Sequence, residues 1–168
     1  LLVPLITVPY ISRVLGPDLV GINSYTNSWM IFFMLVGQMG IALYGNREVA
    51  YHRDNVVDRS KIFWGIETLQ GITILLALIA YLAAVLLFST TFKRFFLLQS
   101  FWIIAAGLDV SWYFMGMENF QRIVFRNMLV KLASVALIFL LVKNQGDLGK
   151  YIALLGLSNL VGNLTLWP

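Results

Sequence analysis

Asp109-Val110-Ser111-Trp112-Tyr113-Phe114-Met115-Gly116-Met117-Glu118-Asn119-Phe120-Gln121-Arg122-Ile123-Val124-Phe125-Arg126-Asn127-Met128-Leu129-Val130-Lys131 decides how this chain is read. The stretch joins two strongly apolar runs, Phe95 to Leu108 and Leu132 to Val142. It places an acid, Asp109, where the first run should still lie inside a bilayer. It places bases, Arg126 and Lys131, where the second should already have entered. An ionisable group at that depth costs roughly 3 kcal/mol on insertion scales. Such groups face a bundle interior or a water-filled cavity, so function is expected here first.

The rest of the chain makes a bilayer the right reference. Of its 168 residues, 60% are hydrophobic and only 12% are charged, and the mean hydropathy is +0.82. Soluble domains run near 45–50% apolar and about 25% charged, and a soluble core could not absorb the excess. The apolar runs are continuous rather than alternating at every second residue, which argues against an outer-membrane barrel. The expected fold is therefore an all-α polytopic membrane helix bundle. The net charge of +4 comes from bases at the ends of apolar runs, where lipid headgroups and positive-inside bias account for them. No nucleic-acid surface is implied. With one histidine and no cysteine, there is no metal constellation and no thiolate or disulfide chemistry. No Ser-His-Asp or nucleotide-binding arrangement is present, nor a loop long enough to hold one, so no enzyme and no cofactor is expected.

Six spans are expected, joined by short turns. The first covers Leu1 to Leu15, with Pro4 and Pro9 kinking it and Gly16-Pro17-Asp18 ending it. Arg13 reads as an interfacial anchor. The second runs from near Gly21 to Tyr44, and at 100° per residue Asn23, Asn27, Met34 and Gln38 share one face. That polar stripe fits either a cavity or a hydrogen-bonded helix contact. Gly45 to Lys61 is the most polar segment and reads as a loop. The third span, Ile62 to Phe88, carries Glu67 as its only charge, and Glu67 either snorkels or points inward. Ser89 to Arg94 is a polar turn. The fourth span, Phe95 to Met117, contains Asp109, with Trp102, Ala105, Trp112 and Gly116 on the same face if the helix is continuous. Asp109 fits a structural ion pair or a cavity group equally well. Glu118 to Gln121 is a tight turn. The fifth span, Arg122 to Val142, puts Asn127, Lys131 and Ser134 on one face and Arg122 with Arg126 on another. Lys143 to Lys150 is a polar turn, and the sixth span begins at Tyr151. Its Gly156, Gly162, Asn159 and Asn163 mark a packed or cavity-lining helix.

The turns after the second and fourth spans, with the start of the fifth, hold Arg47, Arg53, Arg59, Lys61, Arg122, Arg126 and Lys131. The other turns hold Arg13, Lys93, Arg94, Lys143 and Lys150. This bias places the first set on the cytoplasmic side.

Three stretches together resemble one family. They are Pro9-Tyr10-Ile11-Ser12-Arg13-Val14-Leu15-Gly16-Pro17; Gly45-Asn46-Arg47-Glu48-Val49-Ala50 with Arg53-Asp54; and Asp109 to Phe120 followed by Arg126-Asn127 and Val130-Lys131. The family is the Wzx-type oligosaccharide repeat-unit flippases of bacterial surface polysaccharide synthesis. It lies in the multidrug/oligosaccharidyl-lipid/polysaccharide exporter superfamily. The resemblance implies two pseudo-symmetric bundles around a central cavity. Residues 1–168 would then be the N-terminal bundle, lacking the start of its first helix and the whole second bundle. It also implies a substrate, an undecaprenyl-pyrophosphate-linked oligosaccharide, moved across the bacterial cytoplasmic membrane for O-antigen, capsule or exopolysaccharide. The expected partners are membrane lipids and the polysaccharide polymerase and assembly proteins.

A pyrophosphate-sugar headgroup needs a hydrated path with cations and hydrogen-bond donors. On that reading Arg126 and Lys131 supply cations, Asn27, Gln38 and Asn127 supply hydrogen bonds, and Trp112 supplies a sugar-stacking face. Asp109 and Glu67 hold a base in place or answer a coupling proton or Na⁺. Two related readings stay open, a cation-coupled drug exporter and a peptidoglycan-precursor flippase. A third, from another class, is a membrane scaffold of the assembly machinery that transports nothing.

Overall fold

A computed structural model describes residues 2–88 and 91–167, with side chains from residue 6 onward. The Pro4 ring and the turn residues Ser89 and Thr90 lie outside that description. The elements are all helical: α1 (Leu2–Leu15), α2 (Pro17–Gln38), α3 (Ile41–Tyr51), α4 (Val56–Phe88), α5 (Lys93–Gly107), α6 (Ser111–Gly116), α7 (Phe120–Leu141) and α8 (Leu148–Leu164), with a 3₁₀ turn at Gln145–Asp147.

Local chemistry sets the boundaries. Gly16, at φ 81°, turns the chain out of α1, and Pro17 starts α2 at a position where its missing N–H is no loss. The expected second span is interrupted where Met39 (φ 33°) and Gly40 (φ 77°) take left-handed conformations before α3 begins. The expected polar loop from Gly45 to Lys61 is mostly helix. Its Arg, Lys and Glu residues are good helix formers, and α3 continues to Tyr51 while α4 starts at Val56, leaving His52 to Asn55 as the turn. Asn55 caps α4 by accepting from the backbone N–H groups of Val57 at 3.1 Å and Asp58 at 3.3 Å.

Four helical segments among the described residues are long and apolar enough to cross a membrane: Pro17–Tyr51, Val56–Phe88, Lys93–Gly116 and Phe120–Leu141. Of the six expected spans, the first and last are the short ones. The 17 residues of α8 reach about 25 Å, under the roughly 30 Å of bilayer hydrocarbon. The protein is a multi-pass membrane bundle.

The middle of the bundle is α5, which packs on α2, α4 and α8. Met30, Ile74, Tyr81, Phe96 and Ile103 fill the space between α2, α4 and α5. At one end, Val49, Phe63, Trp112, Phe114 and Ile123 bring α3, α4, α6 and α7 together. At the other, Leu15, Ile138, Val142, Leu148 and Ile152 join α1, α7 and α8. Two cross-links fix which turns share an end. Arg53 pairs with Glu118 at 2.9 Å, linking the α3–α4 and α6–α7 turns. The Tyr10 hydroxyl donates to the Val142 carbonyl at 2.9 Å, tying α1 to the end of α7.

Candidate functional site

The expected fourth span is not one helix. It stops at Gly107 and restarts at Ser111, so Asp109 sits in a break. The face shared with Trp102, Ala105, Trp112 and Gly116 therefore does not exist as expected, because the offsets assumed an unbroken helix. A break inside a membrane protein frees backbone carbonyls, which must find partners in the protein or in water. Here side chains from two other helices, and one from beyond the end of α8, supply them. Asn163 of α8 donates to the Ala105 carbonyl at 2.6 Å. Gln70 of α4 donates to the carbonyls of Ala106 at 3.0 Å and Asp109 at 3.2 Å. The Trp167 indole donates to the Leu108 carbonyl at 3.0 Å.

Arg126, only 9% exposed, closes this network from α7. Its guanidinium donates to the Asn163 side-chain oxygen at 2.7 Å and to the Ser111 hydroxyl at 2.8 Å. The Asp109 carboxylate lies 3.9 Å away. Asp109 is itself held by the backbone N–H of Ser111 at 3.0 Å and by the Ser111 hydroxyl. One cation thus gathers α5, α6, α7 and α8 at the point where α5 ends. The forked shape of the guanidinium is what allows it to reach two acceptors on different helices. Its Nε has no partner, and neither does Oε2 of the buried Glu67.

The break has open space on both sides. Towards α2, α3 and α4, Gln38, Gln70, Asp109 and Ser111 line a small pocket of about 100 Å³ whose remaining wall, Ile41, Ala42, Trp112 and Met115, is mostly apolar. Towards α7 and α8, Arg122, Arg126, Phe125, Val130, Val161 and Trp167 are among the residues lining a groove of about 490 Å³.

The eight residues singled out from sequence separate into groups. Arg126 and Asp109 meet directly. Gln38 lines the small pocket beside Asp109 and Trp112. Glu67 is buried, 7% exposed, one helical turn before Gln70 and within electrostatic reach of Asp109. Trp112 is 2% exposed. Its ring stacks on Phe63 at 5.7 Å, a Cβ on Gly45 would lie 2.6 Å from it, and its indole N–H donates to the Gln70 side chain at 3.1 Å. In this conformation no sugar reaches that face. Asn127 and Lys131 are exposed on the other side of α7 from Arg126, and Asn27 is half-buried on α2. None of these three joins the network. Ser134, expected to share their face, is buried and bonds to its own helix at the Val130 carbonyl at 2.7 Å.

Four members of the network are not among the expected site residues: Gln70, Asn163, Ser111 and Trp167. Gln70 had a usable signal, since it follows Glu67 by three residues and puts a second polar group on the same face of an apolar span. Asn163 was visible as a polar group on α8, but nothing in the sequence pointed it at α5.

A family model described as "Polysaccharide biosynthesis protein" matches residues 1–167. A protein of Escherichia coli (strain K12) named "Putative O-antigen transporter" is 27% identical over 149 residues, covering 88% of this chain. The chain spans 36% of that relative's length. No solved structure matches the chain.

Proposed function

The chain belongs to the polysaccharide biosynthesis protein family, and on that premise we propose that it forms part of a flippase for undecaprenyl-pyrophosphate-linked oligosaccharides in the bacterial cytoplasmic membrane. The relative named as an O-antigen transporter supports transport over catalysis. In this reading residues 1–168 are the N-terminal bundle of a two-bundle transporter.

The observation that carries the proposal is the broken helix at Asp109 with Arg126 buried against it. Irregular backbone at membrane depth is tolerated where it is enclosed by protein or lines a cavity, and broken helices mark the substrate and ion sites of many transporters. Arg126 is a positioning residue in the conformation described, since Asn163 and Ser111 occupy two of its donors. On α7, the cations open to an anionic headgroup are Arg122 and Lys131, both exposed. The small pocket beside Asp109, where Gln38 and Gln70 add polar groups to a mostly apolar wall, is the place we assign to a coupling proton or Na⁺. A cation or proton there would weaken the hold of Asp109 on Arg126 and let α7 move relative to the break.

Asp109→Asn tests this. The amide oxygen can still accept from Ser111, so the turn keeps its hydrogen bonds while losing the charge. In a strain lacking its polysaccharide flippase, the substituted protein is expected at normal membrane abundance with surface polymer lost. Normal polymer at normal abundance would remove the break from the transport mechanism.

A further inference from the structure

Two helices of this bundle are broken, and the breaks face each other. Gln38, Ile41 and Ala42, around the α2–α3 break, line the same pocket of about 100 Å³ as Asp109, Ser111 and Met115, around the α5–α6 break. The two breaks are held differently. The α5–α6 break is tied to other parts of the bundle by Gln70, Asn163 and Trp167. At the α2–α3 break, Met39 and Gly40 bond only to their own helices among the described residues: the Met39 N–H donates to the Leu35 carbonyl at 3.2 Å, and the Gly40 carbonyl accepts from the Tyr44 N–H at 3.1 Å. Both residues are left-handed, at φ 33° and φ 77°. Met39 is 75% exposed, so packing of its side chain does not offset the strain of that conformation. A Cβ on Gly40 would meet nothing within 4 Å, so the backbone angle, not space, calls for glycine there. Strain of this kind persists where the surrounding structure imposes it, and it clusters at switch regions.

What imposes it is the contact of α3 with α6. A Cβ on Gly45 would lie 2.6 Å from the Trp112 ring, and one on Gly116 would lie 2.7 Å from the Asn46 carbonyl oxygen. At the far end Arg53 reaches Glu118 at 2.9 Å, and Glu118 is itself left-handed at φ 55°. Two glycine contacts and an ion pair thus lock α3 to α6 along their length. Each of the two helices is entered through a break and left through a short turn. We propose that Met39–Gly40 is an elbow, and that α3 and α6 swing on it and on the α5–α6 break as one body. When Met39 and Gly40 return to right-handed angles, α2 and α3 become one continuous helix. The locked α6 is carried along, and the pocket beside Asp109 opens, because α3 and α6 supply part of its wall. Trp112 then leaves Phe63 and Gln70, so those contacts oppose the release of strain and hold the conformation described. In the flippase reading the swing gives that pocket an entrance, but the swing itself does not rest on that reading.

Distances between spin labels test this without using polymer output. The full-length protein is placed in nanodiscs with any other cysteine replaced, and labels are attached in pairs at exposed positions. Arg47→Cys with Ala83→Cys follows α3 against α4, Met115→Cys with Ala83→Cys follows α6, and Leu137→Cys with Ala83→Cys is the control at the other end of the bundle. Pulsed EPR should find two populations of distance for the first two pairs and one for the third. Gly40→Ala puts a Cβ at the left-handed angle and favours the continuous helix, so the described population should fall at least about fivefold relative to the second. Met39→Gly relieves the strain and should raise it by at least about fivefold. Both shifts should appear equally in the Arg47 and Met115 pairs. A single distance in the parent and both variants would overturn the elbow. So would a ratio that Met39→Gly leaves unchanged, which can be read even if Gly40→Ala fails to fold. A shift in the Arg47 pair that the Met115 pair does not follow would overturn the movement as one body. A protein that swings as expected yet fails to restore surface polymer would refute the flippase reading alone.

Discussion

At the scale of single residues, Arg126 and Lys131 show what distinguishes two bases on one helix. Five residues apart, they point about 140° from each other around α7. Arg126 falls among Ser111, Asn163 and Asp109, and Lys131 falls outside. Arg126→Lys keeps the charge but cannot reach Asn163 and Ser111 together. It should lower stability by about 1–3 kcal/mol, the range for an unmade bond to a charged group, seen as a fall in thermal midpoint in detergent. Lys131→Gln should leave that midpoint unchanged. An equal fall in both would mean that the Arg126 network contributes nothing specific. Trp112 gives a second contrast. Trp112→Ala should cost about 3–5 kcal/mol as a large buried aromatic and deplete the protein from the membrane. A well-folded Trp112→Ala that loses only transport would instead return the indole to the substrate path.

At the scale of elements, the α5–α6 break depends on donors brought from α4 and α8. Gln70→Met replaces the amide with a side chain of similar length. It strips the donor from the carbonyls of Ala106 and Asp109 and the acceptor from Trp112. Each orphaned group costs about 1–3 kcal/mol, so hydrogen exchange should rise locally around 105–113 before the rest of the bundle opens. Unchanged exchange there would mean water already serves those groups.

The α7–α8 turn is held differently. Asp147 closes a capping box with Asn144. Lys150 foremost, then the N–H groups of Lys143 and Asn144, hold its carboxyl down to about 2 from an ordinary 3.8. A carboxyl whose pKa is lowered by folding stabilises the fold above its unfolded pKa and loses that contribution as pH falls through the folded one. The turn should therefore loosen between about pH 4 and pH 2. Amide exchange at Lys143 and Asn144 should follow that window, and Asp147→Asn should abolish the dependence. A turn equally protected across the window would show that Asp147 adds nothing to it.

At the scale of the molecule, the bundle has two distinct ends. The Arg53–Glu118 pair marks one, and Gly16, packed near Gln145, marks the other. The basic bias predicts that the first end faces the cytoplasm. With any cysteine outside residues 1–168 replaced, since these residues hold none, Asp54→Cys should react with an impermeant thiol reagent only in permeabilised cells, and Gln145→Cys should react in intact spheroplasts. The reverse pattern would invert the orientation, and labelling of both from one side would break the topology. Glu118 is held below the usual carboxylate range mainly by its hydrogen bond from Arg53, so this surface link between two turns should weaken with salt.

The sequence by itself determined the class and the approximate place of the helices. Continuous apolar runs near twenty residues have few stable outcomes other than membrane helices, because backbone groups in hydrocarbon must be satisfied within the segment. It also marked Asp109 and Arg126 as misplaced charges, since their cost in a bilayer depends only on depth. The tertiary structure alone decided that the helix breaks at Asp109. That break holds because Gln70, Asn163 and Trp167, distant in sequence, take up the freed carbonyls. It also decided that Trp112 is packed away while Lys131 is open, because helical periodicity fixes the angle between two side chains and not which of them the bundle encloses. The polar segment after Gly45 departs from the expected loop for a related reason. Charge excludes it from lipid but not from helix, and only the Asn55 cap and the packing of α3 on α6 show where its turn lies.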